Sequence, residues 1–107
     1  MKKLFISQPM NGKTDLEILR EREQAVNVAV AILREEVEVI DTFYTDFPSN
    51  AKPLEYIARS IKDLANADIA FFADGWQEKR GCRIEKECAE QYGIRCITFD
   101  MAGMEIL

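Results

Sequence analysis

Asp68-Ile-Ala-Phe-Phe-Ala-Asp74-Gly75-Trp76-Gln-Glu-Lys-Arg80-Gly81-Cys82-Arg83-Ile84-Glu85 reads as a buried strand, a glycine-bearing loop and the start of a helix. Ile69 to Ala73 is apolar at every position. It lacks the alternation of a half-solvated strand and is expected to be covered on both faces. Asp74-Gly75 is a turn pair. From Gly81 or Cys82 to Tyr92 the pattern is helical, and Gly93 stands where a left-handed C-cap is wanted. This is the repeating unit of an open parallel sheet, whose ligands occupy the crevice beyond the carboxyl ends of the strands.

The same alternation runs through the rest of the chain. Lys3 to Ser7 is a short apolar strand, and Thr14-Asp-Leu-Glu17 fits a capping box that opens a helix running to about Leu33. Leu19, Val26, Val30 and Leu33 share one face of that helix, with Arg20, Glu21, Glu23 and Arg34 more exposed. Val37 to Ile40 is the second strand. Asp41 to Lys52 is polar and aromatic, and longer than an ordinary strand-to-helix connection. Pro53 suits the first turn of a second helix. Its Leu54, Ile57, Ala58, Ile61, Leu64 and Ala65 recur at helical spacing toward the sheet. Ile94 to Phe99 is the fourth strand, and the tail from Asp100 to Leu107 forms a turn or a short extra element.

The expected fold is therefore α/β: one domain over residues 1–107, a small flavodoxin-like or Rossmann-like three-layer sandwich. Its parallel sheet has strand order 2-1-3-4 and right-handed crossovers. That order puts a switch point between the first and third strands, so the loops Gln8 to Lys13 and Asp74 to Gly81 face each other.

Composition removes several classes of function. The net charge of -5, with no basic run longer than Lys2-Lys3, argues against nucleic acid as a partner. No stretch approaches the ~18 apolar residues of a membrane span. The start, Met1-Lys2-Lys3-Leu4-Phe5-Ile6, loses its apolar character too soon for a signal peptide and reads as a strand. Cys82, Cys88 and Cys96 are odd in number and lack CxxC spacing, which points to reduced thiols in a cytoplasmic protein. With no histidine and no close cysteine pair, neither a zinc site nor a Ser-His or Cys-His nucleophile is expected. No metal or redox cofactor is implied.

What chemistry remains gathers at the carboxyl ends of the strands. Glu85 shares a helix face with Cys88, Ala89 and Tyr92 near the helix start, where the dipole favours an ionised carboxylate. It suits a nucleophile, and equally a helix-stabilising charge paired with Arg83 or Lys86. Ser7-Gln8-Pro9-Met10-Asn11-Gly12-Lys13 matches neither GxGxxG nor the P-loop pattern. It is either a ligand loop or an ordinary strand-to-helix turn. Trp76 can stack on a nucleobase, cover the sheet edge or make a dimer contact. Asp74 suits a ribose hydroxyl or a plain turn, and Arg80 and Arg83 a phosphate or solvent.

Phe5-Ile6-Ser7-Gln8-Pro9, the Ala67-Asp68 strand entry and Gly81-Cys82-Arg83-Ile84-Glu85 with Ala89 and Gly93 resemble the nucleoside 2-deoxyribosyltransferase superfamily. That superfamily also contains deoxynucleoside 5′-monophosphate N-glycosidases. The whole chain is similar to its short bacterial and phage domains, with a strand ending Ser7-Gln8-Pro9-Met10 and a Gly-Cys-Arg-x-Glu helix start. The resemblance implies a cytoplasmic protein of a bacterium or a phage-infected cell. It also implies that Glu85 attacks C1′ of a deoxyribose and displaces the base, the retaining logic of glycoside chemistry on an N-glycosidic bond. Ser7, Gln8, Met10, Asn11, Ser60, Asp74, Trp76 and Arg80 then hold the nucleoside or nucleotide.

Two positions depart from the enzymes. Ser60 stands where they carry an aspartate, and Phe5 where they commonly carry a tyrosine. Asp41, Asp46, Asp74 and Tyr44 are the residues able to supply the missing groups. Two other classes stay open: a nucleotide-binding module without efficient chemistry, and an oligomeric accessory protein. A small domain makes a shallow crevice, so a homodimer or higher homo-oligomer is expected, with Phe43-Tyr44-Thr45-Asp46-Phe47 reaching across the interface.

Overall fold

A computed structural model describes residues 1–42, 44 and 46–99. Strands and helices alternate as β1 (Lys2–Ser7), α1 (Asp15–Leu33), β2 (Val37–Val39), α2 (Pro53–Leu64), β3 (Ile69–Phe72), α3 (Arg80–Gln91) and β4 (Arg95–Thr98), with a 3₁₀ turn at Trp76–Glu78. The sheet is parallel throughout, in order β2-β1-β3-β4. This is the small three-layer Rossmann-like arrangement that the strand–helix alternation implies. The expected extra element at 100–107 lies outside the described residues. No helix among them is long and apolar enough to cross a membrane.

Strand parity sorts the core into two layers. Leu4, Ile6, Ile69, Phe71, Ala73 and Ile97 point to one face and pack with Ala25 and Ala29 of α1. Phe5, Ala70 and Phe72 point to the other face and pack with Leu64 of α2 and Ala89 of α3. The uniformly apolar β3 is thus buried on both sides, as a central parallel strand must be. The capping box forms at Thr14, whose Oγ1 accepts from Glu17 N at 3.2 Å. Gly93, at φ +74°, follows the end of α3 as expected.

The structure corrects the helix faces. On α1 the buried stripe is Ile18, Arg22, Ala25 and Ala29, and Leu19 is 56% exposed. Small alanines let the helix lie close on the sheet, and the long apolar side chains are turned to its flanks. On α2, Ser60 and Leu64 are buried and Ile57 and Ile61 half-buried, while Leu54 is 76% exposed and Ala58 and Ala65 face solvent. The inward stripe is centred on positions 57, 60, 61 and 64. Tyr92 is 84% exposed, because it caps α3 with non-helical backbone angles and leaves the face that carries Glu85 and Ala89.

Candidate functional site

Consecutive residues of a strand point to opposite faces, so the carboxyl end of β1 sends Ser7 and Gln8 to different layers. Ser7 has the parity of Phe5 and emerges between α2 and α3. Its hydroxyl donates to Glu85 Oε1 at 2.5 Å, joining β1 to the second turn of α3. Both side chains are buried, Glu85 to 8% exposure. Ser60 of α2 is buried beside them. Its hydroxyl donates to the carbonyl of Tyr56 (3.2 Å) or of Ile57 (3.3 Å). A single hydroxyl proton serves one of these acceptors at a time.

These three residues stand in a crevice of about 430 Å³, within the roughly 300–1,000 Å³ typical of small-molecule sites. Ser7, Gln8, Met10, Asn11, Ser60, Arg80 and Glu85 all line it. The loops after β1 and β3 do meet: a Cβ on Gly75 would lie 3.6 Å from Pro9 Cγ. Gly81 brings the start of α3 close to α2, since a Cβ there would lie 3.1 Å from Ile57 Cδ1.

Burial pushes the Glu85 carboxyl above its usual range, against the lowering effect of Ser7 and then Ser60. This differs from the expectation that the helix start favours an ionised carboxylate. Glu85 is the sixth residue of α3, beyond the turn where the dipole acts, and the donors around it are hydroxyls. The Cys82 thiol, also on the crevice wall, is raised chiefly by burial, with Ser7 opposing. It therefore stays protonated and is no rival nucleophile.

Two expected ligand residues are not on the crevice wall. Asp74 is exposed beyond it. Trp76 packs its ring on Phe72, centroids 5.7 Å apart, with Lys86 Nζ 5.3 Å from its centroid. Its position after a strand that ends in Phe72 makes it a cover for the sheet. Gln8 borders the crevice, but its amide is occupied on the α1 side. Its Nε2 donates to Ile18 O (3.3 Å) and Glu21 Oε1 (3.1 Å), and its Oε1 accepts from Arg22 Nη1 at 3.0 Å.

Arg22 went unnoticed in the sequence, where it reads as one more charged helix residue. It is buried, and donates also to Thr42 Oγ1 (3.1 Å) and Ile40 O (3.3 Å). Burial lowers its pKa, while Asp41 and then Tyr44 oppose the shift. Thr42 passes the link to Ile6 O at 3.2 Å. Glu21 completes it with an ion pair to Lys13 at 2.8 Å. This chain of bonds fixes the entry and exit of the first crevice loop.

Of the four proposed substitutes for the missing groups, only Tyr44 lines the crevice. Its hydroxyl donates to Asp63 Oδ2, one turn beyond Ser60 on α2. Burial and then that bond raise the Tyr44 pKa, and the charge of Glu85 adds to the rise. Arg59 lies over the Tyr44 ring, 4.2 Å from the centroid, and pairs with Asp46 at 2.6 Å. Phe47 meets Tyr44 edge-on and stacks on Tyr56. The part of the aromatic segment that is described thus packs on its own α2, and Phe43 and Thr45 lie outside the described residues.

A family model described as a domain of unknown function (DUF4406) matches residues 2–98. No curated protein matches the chain.

Proposed function

The chain belongs to the DUF4406 family, and from that footing and the geometry of its crevice we propose that it breaks the N-glycosidic bond of a deoxynucleoside or deoxynucleotide with Glu85 as nucleophile. The observation that carries this reading is the buried Glu85 carboxyl, held on Oε1 by Ser7 at 2.5 Å within a crevice of about 430 Å³. Oε2 is then the attacking oxygen. It bonds to C1′ as the C1′–N bond breaks, and the electron pair leaves on the base nitrogen, which takes a proton from water. Water, or a second base, next attacks C1′ and releases Glu85. The resemblance of Ser7 to Pro9 and Gly81 to Glu85 to the nucleoside 2-deoxyribosyltransferases supports the same chemistry. The test is incubation with each deoxynucleoside and its 5′-monophosphate, followed by chromatography for free base. Absence of release across that panel would exclude turnover.

One observation favours a second reading, capture of a nucleotide-like ligand without turnover. Ser60 offers a hydroxyl where the enzymes carry a carboxylate, and burial disfavours the ionised Glu85. Ligand-dependent thermal stabilisation without free base would select it.

Under the first reading, Ser7→Ala has a signed effect on pH dependence. Attack needs the ionised carboxylate, so base release rises as pH passes upward through the Glu85 pKa. Removing the Ser7 donor takes away a lowering influence, and the acid limb moves to higher pH. An unmoved limb in Ser7→Ala would show that the bond does not tune Glu85.

A further inference from the structure

The Tyr44–Asp63 contact has a chemical consequence at the crevice wall. A phenol carries one proton and accepting lone pairs. Tyr44 gives its proton to Asp63 Oδ2, and Asp63 is not itself among the residues lining the crevice. Arg59 above the ring and Phe47 against its edge keep the hydroxyl oxygen in place, and the bond to Asp63 sets the direction of its proton. Arg59 is in turn held by Asp46. What Tyr44 can show a ligand is therefore an acceptor alone. A ligand acceptor placed there would face lone pair against lone pair, whereas an N–H or O–H would complete a bonded chain to Asp63.

We propose that Tyr44 is a specificity-determining residue of the crevice: with its proton committed to Asp63, it selects ligands that offer a hydrogen-bond donor and rejects those that offer only an acceptor. Ser60 and Asp63, three residues apart on α2, divide the work. Ser60 lies buried beside Glu85, and Asp63 orients the hydroxyl that reads the ligand. The proposal rests on the nucleoside reading of the site. Two donors that deoxyadenosine shares with its 5′-monophosphate have the required chemistry, the exocyclic amino group of the base and the sugar 3′-hydroxyl.

The experiment measures binding by calorimetry with three probes, in the Glu85→Gln background so that turnover does not intervene. Each probe is used as the nucleoside and as its 5′-monophosphate: 2′-deoxyadenosine carries both donors, purine 2′-deoxyriboside lacks the amino group, and 2′,3′-dideoxyadenosine lacks the 3′-hydroxyl. One of the two depleted probes is expected to bind about tenfold more weakly than deoxyadenosine, which identifies the donor that is read. Adding Tyr44→Phe, which keeps the ring, should bring that ratio to about twofold or less. Adding Asp63→Ala should reduce it, because nothing then holds the Tyr44 proton away from the ligand and the lone pair toward it. Asp63→Asn, whose carbonyl still accepts the Tyr44 proton, should retain more of the preference than Asp63→Ala. A merely structural role for the pair would weaken all three probes together and leave the ratio unchanged. Equal binding of the three probes, or a ratio that survives Tyr44→Phe, overturns the proposal while leaving the nucleoside reading standing. Failure of all three probes to bind, as nucleosides and as 5′-monophosphates, overturns both.

Discussion

Exchange of Glu85 for glutamine is expected to abolish base release and, at neutral pH, to make the protein more stable. The loss of rate should be on the order of 10³-fold or more, since an amide oxygen cannot replace a carboxylate as nucleophile. The gain in stability follows from burial. Glu85 titrates in the folded chain above its ordinary value of 4.5. Between 4.5 and that raised value the folded state holds a proton that the unfolded state has already lost. Folding stability therefore falls as pH rises through this window and stays lower above it. Glutamine does not titrate, fills nearly the same space, and can still accept from Ser7. The difference in stability between Glu85→Gln and the parent should grow as pH is raised from below about 4.5 to neutrality, read by urea titration at each pH. A difference that is flat with pH would mean that Glu85 carries no burial penalty. The proposed nucleophile would then not be held at a cost to the fold.

The second large effect belongs to Arg22, on the other face of the sheet. Arg22→Ala removes the donor to Gln8 Oε1, Thr42 Oγ1 and Ile40 O and leaves a gap where the guanidinium and its stem were packed. Two or more acceptors lose partners, among them the buried side chains of Gln8 and Thr42. The expected cost is about 3 kcal/mol, or a fall in Tm on the order of 15 °C for a domain of this size. Arg22→Met, which keeps the apolar stem and sheds the desolvated charge, should recover about half of it. A loss below about 0.5 kcal/mol in Arg22→Ala would place this residue among ordinary surface charges. The network also ties Gln8 and Thr42, which border the crevice, to α1. Ligand binding should therefore weaken in Arg22→Ala even where the variant is still folded.

These two residues mark where sequence reading succeeds and where it stops. Glu85 stands out locally: a carboxylate on an otherwise inward helix face, just after a strand and a glycine loop. The strand order is equally legible, because β3 has no polar face to give to water and short crossovers permit few topologies. Arg22 has no such local mark. Apolar periodicity assigned the inward face of α1 to Leu19 and its neighbours, yet packing against a sheet favours Ala25 and Ala29. Arg22 follows them inward because Gln8, Thr42 and Ile40 wait there, and those partners are 14 to 20 residues away in sequence. Tyr44 is legible only as one of four candidates for the missing groups, for the same reason. It sits in an aperiodic connection, and its partner Asp63 lies 19 residues on. The loop position of Trp76 leaves base stacking, sheet cover and a dimer contact all open, and it is the contact with Phe72 that only the fold reveals.

The Ser7–Glu85 bond joins residues 78 positions apart. Its two ends are brought together only after β1 has paired with β3 and α3 has crossed back over the sheet. Neither half of the chain contains both ends, and no local turn or hairpin can rehearse the contact before the central strands meet. Closing so long a loop is among the last steps a parallel sheet completes. The site and the finished fold therefore arise in one event. A nascent chain still short of α3 has no acid in its crevice, and a refolding population should recover ligand binding on the slow time course of sheet assembly, not the fast one of helix formation.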